Sequence, residues 1–125
     1  MKTRLLFVLP IAIMMMGCQS VSLRRDPEGL RESFLKERPL GTSMKEIEEW
    51  VKSKGWKDVA ISYSKGFFRN TPFREATVGV KSITVTLGDY VSFPVGFTTM
   101  VVAYWGFNEE GELIDVWVNK SADAP

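Results

Sequence analysis

The chain has 125 residues, of which 45% are hydrophobic, a length and composition that suit one compact domain. Its 16 basic and 15 acidic side chains nearly cancel, which argues against the broad positive surface of a nucleic-acid-binding protein. Because histidine is absent and cysteine occurs once, we expect no disulfide within the sequence, no zinc site, no His-based triad, no cofactor and no enzyme activity.

The N-terminal segment has the pattern of a signal peptide. Lys2 and Arg4 precede an apolar run over residues 5–16, which is shorter than the roughly 20 residues of a membrane-spanning helix. The run ends in Met15-Met16-Gly17-Cys18, which resembles the lipobox of bacterial lipoproteins, where the cysteine is acylated and becomes the new N-terminus. This resemblance implies a signal peptide over residues 1–17 and lipidation at Cys18.

The residues after Cys18 bear on processing and location. In the lipoprotein pattern Gln19 favours the outer membrane, which predicts an acylated N-terminus and tether over residues 18–25 and a periplasmic domain over 26–125. Arg24 and Arg25 are assigned to this predicted tether, and the alternative for them is contact with phospholipid headgroups. A competing cleavage site follows Ser22, because Ser20-Val21-Ser22 has the small-x-small pattern, and it would release a periplasmic protein without lipid.

Two helices are predicted next. Asp26 and Pro27 suit the N-cap and first position of a helix over residues 27–37. Ser43 and Glu46 match a capping box, in which the glutamate reaches back to the cap. An apolar stripe then follows at helical spacing, and Gly55 supplies the stop: Ile47, Trp50 and Val51.

Alternating apolar residues after Trp56 predict β-strands. The strands are centred on residues 59–63, 78–80, 83–87, 98–107 and 114–118, with the fourth as a central strand. We expect a loop over residues 64–75, a hairpin turn at 108–111 and a frayed tail over 120–125. The order predicts an α+β fold, with two N-terminal helices packed on one face of an antiparallel sheet of about four strands.

The arrangement resembles small lipoproteins of the SmpA/OmlA family. The resemblance rests on the Cys18 lipobox, on the helix-opening Gly41-Thr42-Ser43, on Ile47, Val51 and Gly55, and on the closing hairpin over residues 107–116. It implies the helix-helix-sheet fold of the β-lactamase inhibitor protein. It also implies a binding or scaffold role in the periplasm, either in outer-membrane assembly or in inhibition of another protein, such as a hydrolase. The only functional residue it implies is Cys18.

Five aromatic or basic residues are candidates for binding a protein partner. Phe67, Phe68 and Arg69 place two aromatic rings beside a cation in the predicted loop, and Trp105 and Trp117 are predicted to flank each other across the last hairpin. The alternative for each aromatic residue is a place in the core, and the sequence leaves both open. We expect two partners, a membrane held through acyl chains and a protein of unknown identity.

Carboxylates are the remaining candidates for chemistry. A glycosidase needs a pair held about 5 to 10 Å apart in a cleft, and a calcium loop needs alternating Asp and Asn ligands. Three of the carboxylates surround the predicted turn, where solvated acidic residues are ordinary, so we expect no catalysis and no metal. The candidates are Asp89, Glu109, Glu110, Glu112 and Asp115.

Overall fold

A computed structural model describes residues 22–71, 74–92 and 96–123. The predicted signal peptide and Cys18 lie outside the described residues. Within them the α+β class is confirmed, with two helices followed by six strands: α1 (Pro27–Glu37), α2 (Met44–Ser53), β1 (Lys57–Ser62), β2 (Phe67–Thr71), β3 (Arg74–Val78), β4 (Lys81–Ser92), β5 (Phe97–Phe107) and β6 (Leu113–Asp123).

Four of the strands form one antiparallel sheet in the order β1-β4-β5-β6. β5 lies between β4 and β6 and pairs with both along nearly its whole length, which confirms the predicted central strand. β2 and β3 pair only with each other, as a separate hairpin. The hairpin is the part of the fold that the sequence did not predict.

Local capping explains where the two helices begin. The Asp26 carboxylate accepts a hydrogen bond from the Gly29 amide at 2.9 Å, and the Ser43 hydroxyl accepts one from the Glu46 amide at 3.2 Å. Both contacts satisfy amides that have no partner inside a helix. The Glu46 carboxylate is engaged with Arg38, at 3.4 Å, rather than reaching back to the cap as the capping box predicted.

The main core lies between the helices and one face of the sheet. From Val101 to Phe107 of β5 every second side chain is fully buried on this face, and Trp105 is the largest of them. Its ring centroid lies 5.5 Å from that of Phe34 in α1 and 5.9 Å from that of Trp50 in α2. Trp56 completes this cluster, stacked on Trp105 at 6.1 Å. The helices therefore cover one face of the sheet through aromatic contacts.

Backbone hydrogen bonds attach the turn between the helices to the last hairpin. The Gly41 amide donates to the Leu113 carbonyl at 2.8 Å, and the Leu113 amide donates back to the Thr42 carbonyl at 2.9 Å. The predicted turn at 108–111 is confirmed, with Gly111 at φ +78°, a backbone conformation that glycine adopts without strain.

Two predictions about irregular segments are wrong. Residues 64–75, predicted as a loop, contain β2 and the start of β3, because Phe67–Thr71 pairs antiparallel with Arg74–Val78. The tail predicted to fray from Lys120 stays in β6, where residues up to Asp123 pair with β5 and so share its ladder of hydrogen bonds.

The end of the predicted tether is part of the domain. Leu23 packs against the main core, and its Cδ1 lies only 2.8 Å from where a Cβ on Gly88 would be. The guanidinium of Arg24 lies 4.6 Å from the centre of the Tyr90 ring and donates a hydrogen bond to the Val91 carbonyl at 2.9 Å. Leu23 and Arg24, which the sequence assigned to the tether, therefore contact the folded domain.

Candidate functional site

The β2–β3 hairpin lies on the sheet face opposite the helices. Phe67 is its anchor, with its ring centroid 5.5 Å from that of Tyr104 in β5 and 6.2 Å from that of Trp117 in β6. Tyr104 and Trp117 are paired across the strands and stack at 4.9 Å. This second aromatic cluster holds the hairpin to the sheet, and burial within it raises the pKa of the Tyr104 phenol.

Glycine permits the close approach of the hairpin. A Cβ on Gly106 would lie 2.9 Å from Cε2 of Phe67 and 3.1 Å from the Val78 carbonyl oxygen, both too close for an unstrained contact. Gly79, between β3 and β4, has φ +75°, and a Cβ there would lie 2.6 Å from the Phe107 carbonyl oxygen. The hairpin can reach the sheet at these two points because neither residue has a side chain.

Asp115 connects the helix layer to the hairpin. One carboxylate oxygen accepts from Arg31 of α1 at 2.9 Å, and the other lies 3.5 Å from Arg69 of β2. The hydrogen bond to Asp115 is the main reason that the pKa of Arg31 is raised above its ordinary value.

The same side chains also protect the edge of the sheet. At Val116 of β6, the amide donates to Asp115 at 2.8 Å and the carbonyl accepts from Arg31 at 2.8 Å. An edge strand normally presents such groups to solvent or to another chain. Asp115 and Arg31 thus fill the edge positions where a further strand would pair at this residue.

An open pocket lies where the hairpin leaves the sheet. Its volume is about 460 Å³. Phe68 and Val80 form apolar walls and remain 55% and 42% exposed, and Lys65 adds a cation at the rim. We call it the hairpin pocket, and its lining residues are Ser64, Lys65, Gly66, Phe68, Thr77, Gly79 and Val80.

Of the predicted binding residues in the hairpin, one is at the surface and the others are buried or partly buried. Phe68 lines the hairpin pocket, whereas Phe67 is only 4% exposed and packs inward. Consecutive residues of a strand point to opposite faces, which accounts for the difference. Arg69 is partly buried beside Asp115, so its guanidinium is engaged within the domain.

The two tryptophans do not flank each other as predicted. Trp105 is paired with Val116, and Trp117 with Tyr104, so the indoles lie on opposite faces of the sheet. Trp105 is completely buried among the helix-side aromatic residues, which is the core alternative that the sequence left open. Trp117 is half-buried beneath Phe67.

Sequence reasoning missed Lys65 and Val80 as pocket residues. The alternation of Val78 and Val80 suggested one strand face, but Gly79 turns the chain between them, so Val78 belongs to β3 and Val80 precedes β4. The signal for the hairpin was Phe67-Phe68 followed by the alternating residues 74–78. The turn-forming residues Asn70 and Pro72 between them favoured a loop prediction instead.

The candidate carboxylates lie on the last hairpin and on β4. Glu109 and Glu110 are exposed on the turn, and Glu112 accepts a hydrogen bond from the Asn108 amide group at 3.0 Å. Asp115 is engaged with two arginines, and Asp89 is paired with Met100, about 20 Å along the sheet from the position opposite Asp115. Over the described residues, no group of three or more acidic side chains is placed to hold a metal ion.

No helix in the described part of the chain is both long enough and apolar enough to cross a membrane. A scan against family models and searches of curated proteins and of solved structures found no match to the chain. Any assignment of function therefore rests on the residues and on the geometry of the domain.

Proposed function

We propose that the chain is a bacterial lipoprotein that binds another protein at the hairpin pocket. In this proposal it is acylated at Cys18, held at the outer membrane and faces the periplasm, and it has no catalytic role. The observation that carries the binding role is the exposure of Phe68 and Val80 around a concave site, because apolar side chains gathered at a concavity are typical of binding surfaces.

The chemistry of the pocket indicates what it binds. Phe68 and Val80 suit an aliphatic or aromatic side chain, and Lys65 at the rim suits a carboxylate. A partner segment with an apolar residue next to an acidic residue meets both requirements. Aromatic anchors in such pockets commonly account for much of the binding energy, which makes Phe68 the residue to test first.

The envelope assignment is supported by the sequence. The basic start, the short apolar run and Gly17-Cys18 fit a lipoprotein signal peptide, and Gln19 fits outer-membrane sorting. The order of two helices and then an antiparallel sheet fits the SmpA/OmlA resemblance and the inhibitor-like fold it implies. Two or more acyl chains would anchor the protein stably without a membrane-spanning helix.

Lipidation is tested by labelling cells with a radioactive fatty acid and comparing the wild type with Cys18→Ser. We expect label on the wild type only, and a mature protein whose first residue is Cys18. An unlabelled mature protein that begins at Leu23 would establish cleavage after Ser22 and contradict the lipoprotein assignment.

Partner binding is tested by placing a photo-crosslinking amino acid at position 68 in intact cells. The matched control is position 40, because Leu40 has the same exposed fraction as Phe68, 55%, but lies outside the hairpin pocket. We expect a discrete crosslinked protein from position 68 only, and its loss when Lys65→Glu is added. Equal crosslinking from both positions, or none from position 68, would contradict the pocket as the binding site.

The identity of the crosslinked protein separates two roles. An envelope-assembly component supports a scaffold role, which the family resemblance also implies. A single hydrolase that is captured one-to-one and loses activity on binding supports the second candidate, an inhibitor, which the inhibitor-like order of helices and strands favours.

A further inference from the structure

The N-terminal segment joins the domain at the end of the sheet opposite the hairpin pocket. Val80, in the pocket, immediately precedes β4, whereas Arg24 is hydrogen-bonded to Val91 near the other end of that strand. β4 contains 12 residues, and at about 3.3 Å per residue it separates its two ends by roughly 36 Å. The chain N-terminal to the domain therefore enters at the end distant from the pocket.

The link between this end and Cys18 is short. Four peptide steps join Cys18 to Ser22, and at most about 3.6 Å per step they span no more than roughly 14 Å. The Ser22 carbonyl accepts a hydrogen bond from the Arg25 amide at 3.2 Å, in a turn that begins the docked segment. If Cys18 carries acyl chains, the docked segment is held within that distance of the lipid headgroups.

The side chains at this end suit a phospholipid surface. Arg24 and Lys120 lie against the same Tyr90 ring, at 4.6 and 5.2 Å from its centre, and Lys120 also donates to the Arg25 carbonyl. Within the described residues, Arg24, Arg25 and Lys120 have no carboxylate within 4.0 Å, and Asp26 nearby is occupied as a helix cap.

Exposed apolar side chains accompany these cations. Val91 near the end of β4, and Phe97 and Met100 near the start of β5, lie at this end of the sheet and rank among the exposed large hydrophobic residues. Phe97 shares the face of Tyr90, and Val91 and Met100 lie on the other face. Cations beside exposed apolar groups are the combination that binds the headgroup region of a bilayer.

We propose that this end of the domain is its membrane-facing surface, in contact with the phosphate headgroups of the bilayer that holds the acyl chains of Cys18. We call it the Tyr90 end, formed by Arg24, Arg25, Tyr90, Val91, Phe97 and Lys120. This inference rests on the proposed lipidation. It places the hairpin pocket on the side of the domain away from the membrane.

The test places a fluorophore at either end of the full-length mature protein, purified with its acyl chains and inserted in vesicles of phosphatidylethanolamine and phosphatidylglycerol that contain a headgroup-linked quencher. Acylation consumes the Cys18 thiol as a thioether, so Thr98→Cys and Glu109→Cys each supply one free thiol. Thr98 is exposed opposite Val91 at the Tyr90 end, and Glu109 is exposed on the turn at the other end. We expect strong quenching at position 98 and none at position 109.

A charge variant tests the headgroup contact itself. Arg24→Gln is expected to weaken the contact about fivefold, which is the effect of one basic residue near an anionic surface, and so to reduce quenching at position 98. The matched control, Lys81→Gln, removes a cation near the pocket end, where Lys81 bonds to the Glu109 carbonyl, and is expected to leave quenching unchanged.

The outcomes separate this inference from the proposed function. Equal quenching at positions 98 and 109, or quenching at neither, in a protein whose mass shows the acyl chains would overturn the membrane-facing assignment and leave the lipidation intact. A mature protein whose mass shows no acyl chains would overturn both.

Discussion

Phe67 and Phe68 are adjacent in β2 and are expected to respond in opposite ways to truncation. Phe67 is 4% exposed and packs on Tyr104 and Trp117, whereas Phe68 is 55% exposed at the hairpin pocket. Phe67→Ala removes the anchor of the hairpin, and Phe68→Ala removes a surface group of the same size from the next position. Each variant is therefore the control for the other.

The magnitude follows from the area that Phe67 buries. An aromatic side chain buries about 150 to 250 Å², which at about 25 cal/mol per Å² amounts to roughly 4 to 6 kcal/mol, part of which alanine retains. Measured truncations of buried phenylalanine cost about 3 to 5 kcal/mol. Two polar attachments of the hairpin are weaker, about 1 kcal/mol each: Arg69 to Asp115, and the Ser82 hydroxyl to the Lys65 carbonyl.

We expect Phe67→Ala to lower the free energy of unfolding by about 3 kcal/mol or to detach the hairpin while the rest of the domain stays folded. Phe68→Ala is expected to change that free energy by no more than about 0.5 kcal/mol. Urea denaturation followed by tryptophan fluorescence measures the first quantity, and amide hydrogen exchange in β3 detects detachment. The reasoning would be refuted by equal losses in the two variants, or by unchanged exchange and stability in Phe67→Ala.

Three further predictions concern consecutive residues of β5. Trp105→Phe is expected to cost at least about 1 kcal/mol less than Trp105→Ala in urea denaturation, because it keeps a ring and removes an indole N–H that has no partner among the described residues; equal costs would contradict this. Gly106→Ala should destabilise the domain by about 1 to 3 kcal/mol and raise amide exchange in the hairpin, since its Cβ would press on Phe67; a more stable variant would show that the hairpin approaches less closely. Burial raises the pKa of Tyr104, so the fold favours the neutral phenol, and the resulting stability is complete below about pH 10 and is lost as pH rises through the folded-state pKa. The free energy of unfolding of Tyr104→Phe should accordingly fall less steeply above pH 10 than that of the wild type. The same dependence on pH in both proteins would contradict a raised pKa of Tyr104.

Local signals were sufficient to predict the helices. The N-caps Asp26 and Ser43 and the left-handed Gly55 act within one turn of the chain, so their effects are readable without tertiary structure. The central strand β5 was also predictable, because its residues are apolar on both faces apart from the threonines. Short-range patterns were therefore enough to predict the α+β class that the structure has.

The candidate site depended on information that is not local. Whether Phe67 or Phe68 faces inward is decided by how the hairpin packs on the sheet, and that packing depends on Gly106, about 40 residues away in the sequence. The burial of Trp105 and the half-exposure of Trp117 likewise follow from a pairing offset of one residue between β5 and β6. A shift of one residue in that pairing would place both tryptophans on the same face of the sheet.

The central strand β5 lies between the surfaces proposed for partner binding and for membrane contact. Its odd-numbered residues pack against the helices, and its even-numbered residues near Gly106 pack against the hairpin. The pocket therefore lies on one face of the sheet, and Leu23 lies on the other. Because the pocket and the Tyr90 end are also roughly 36 Å apart along β4, residues at one are too distant to couple directly with residues at the other. Partner capture at position 68 and membrane contact at position 98 should therefore respond independently to Lys65→Glu and Arg24→Gln. Loss of both partner capture and membrane contact from either single substitution would show that the two surfaces are energetically coupled.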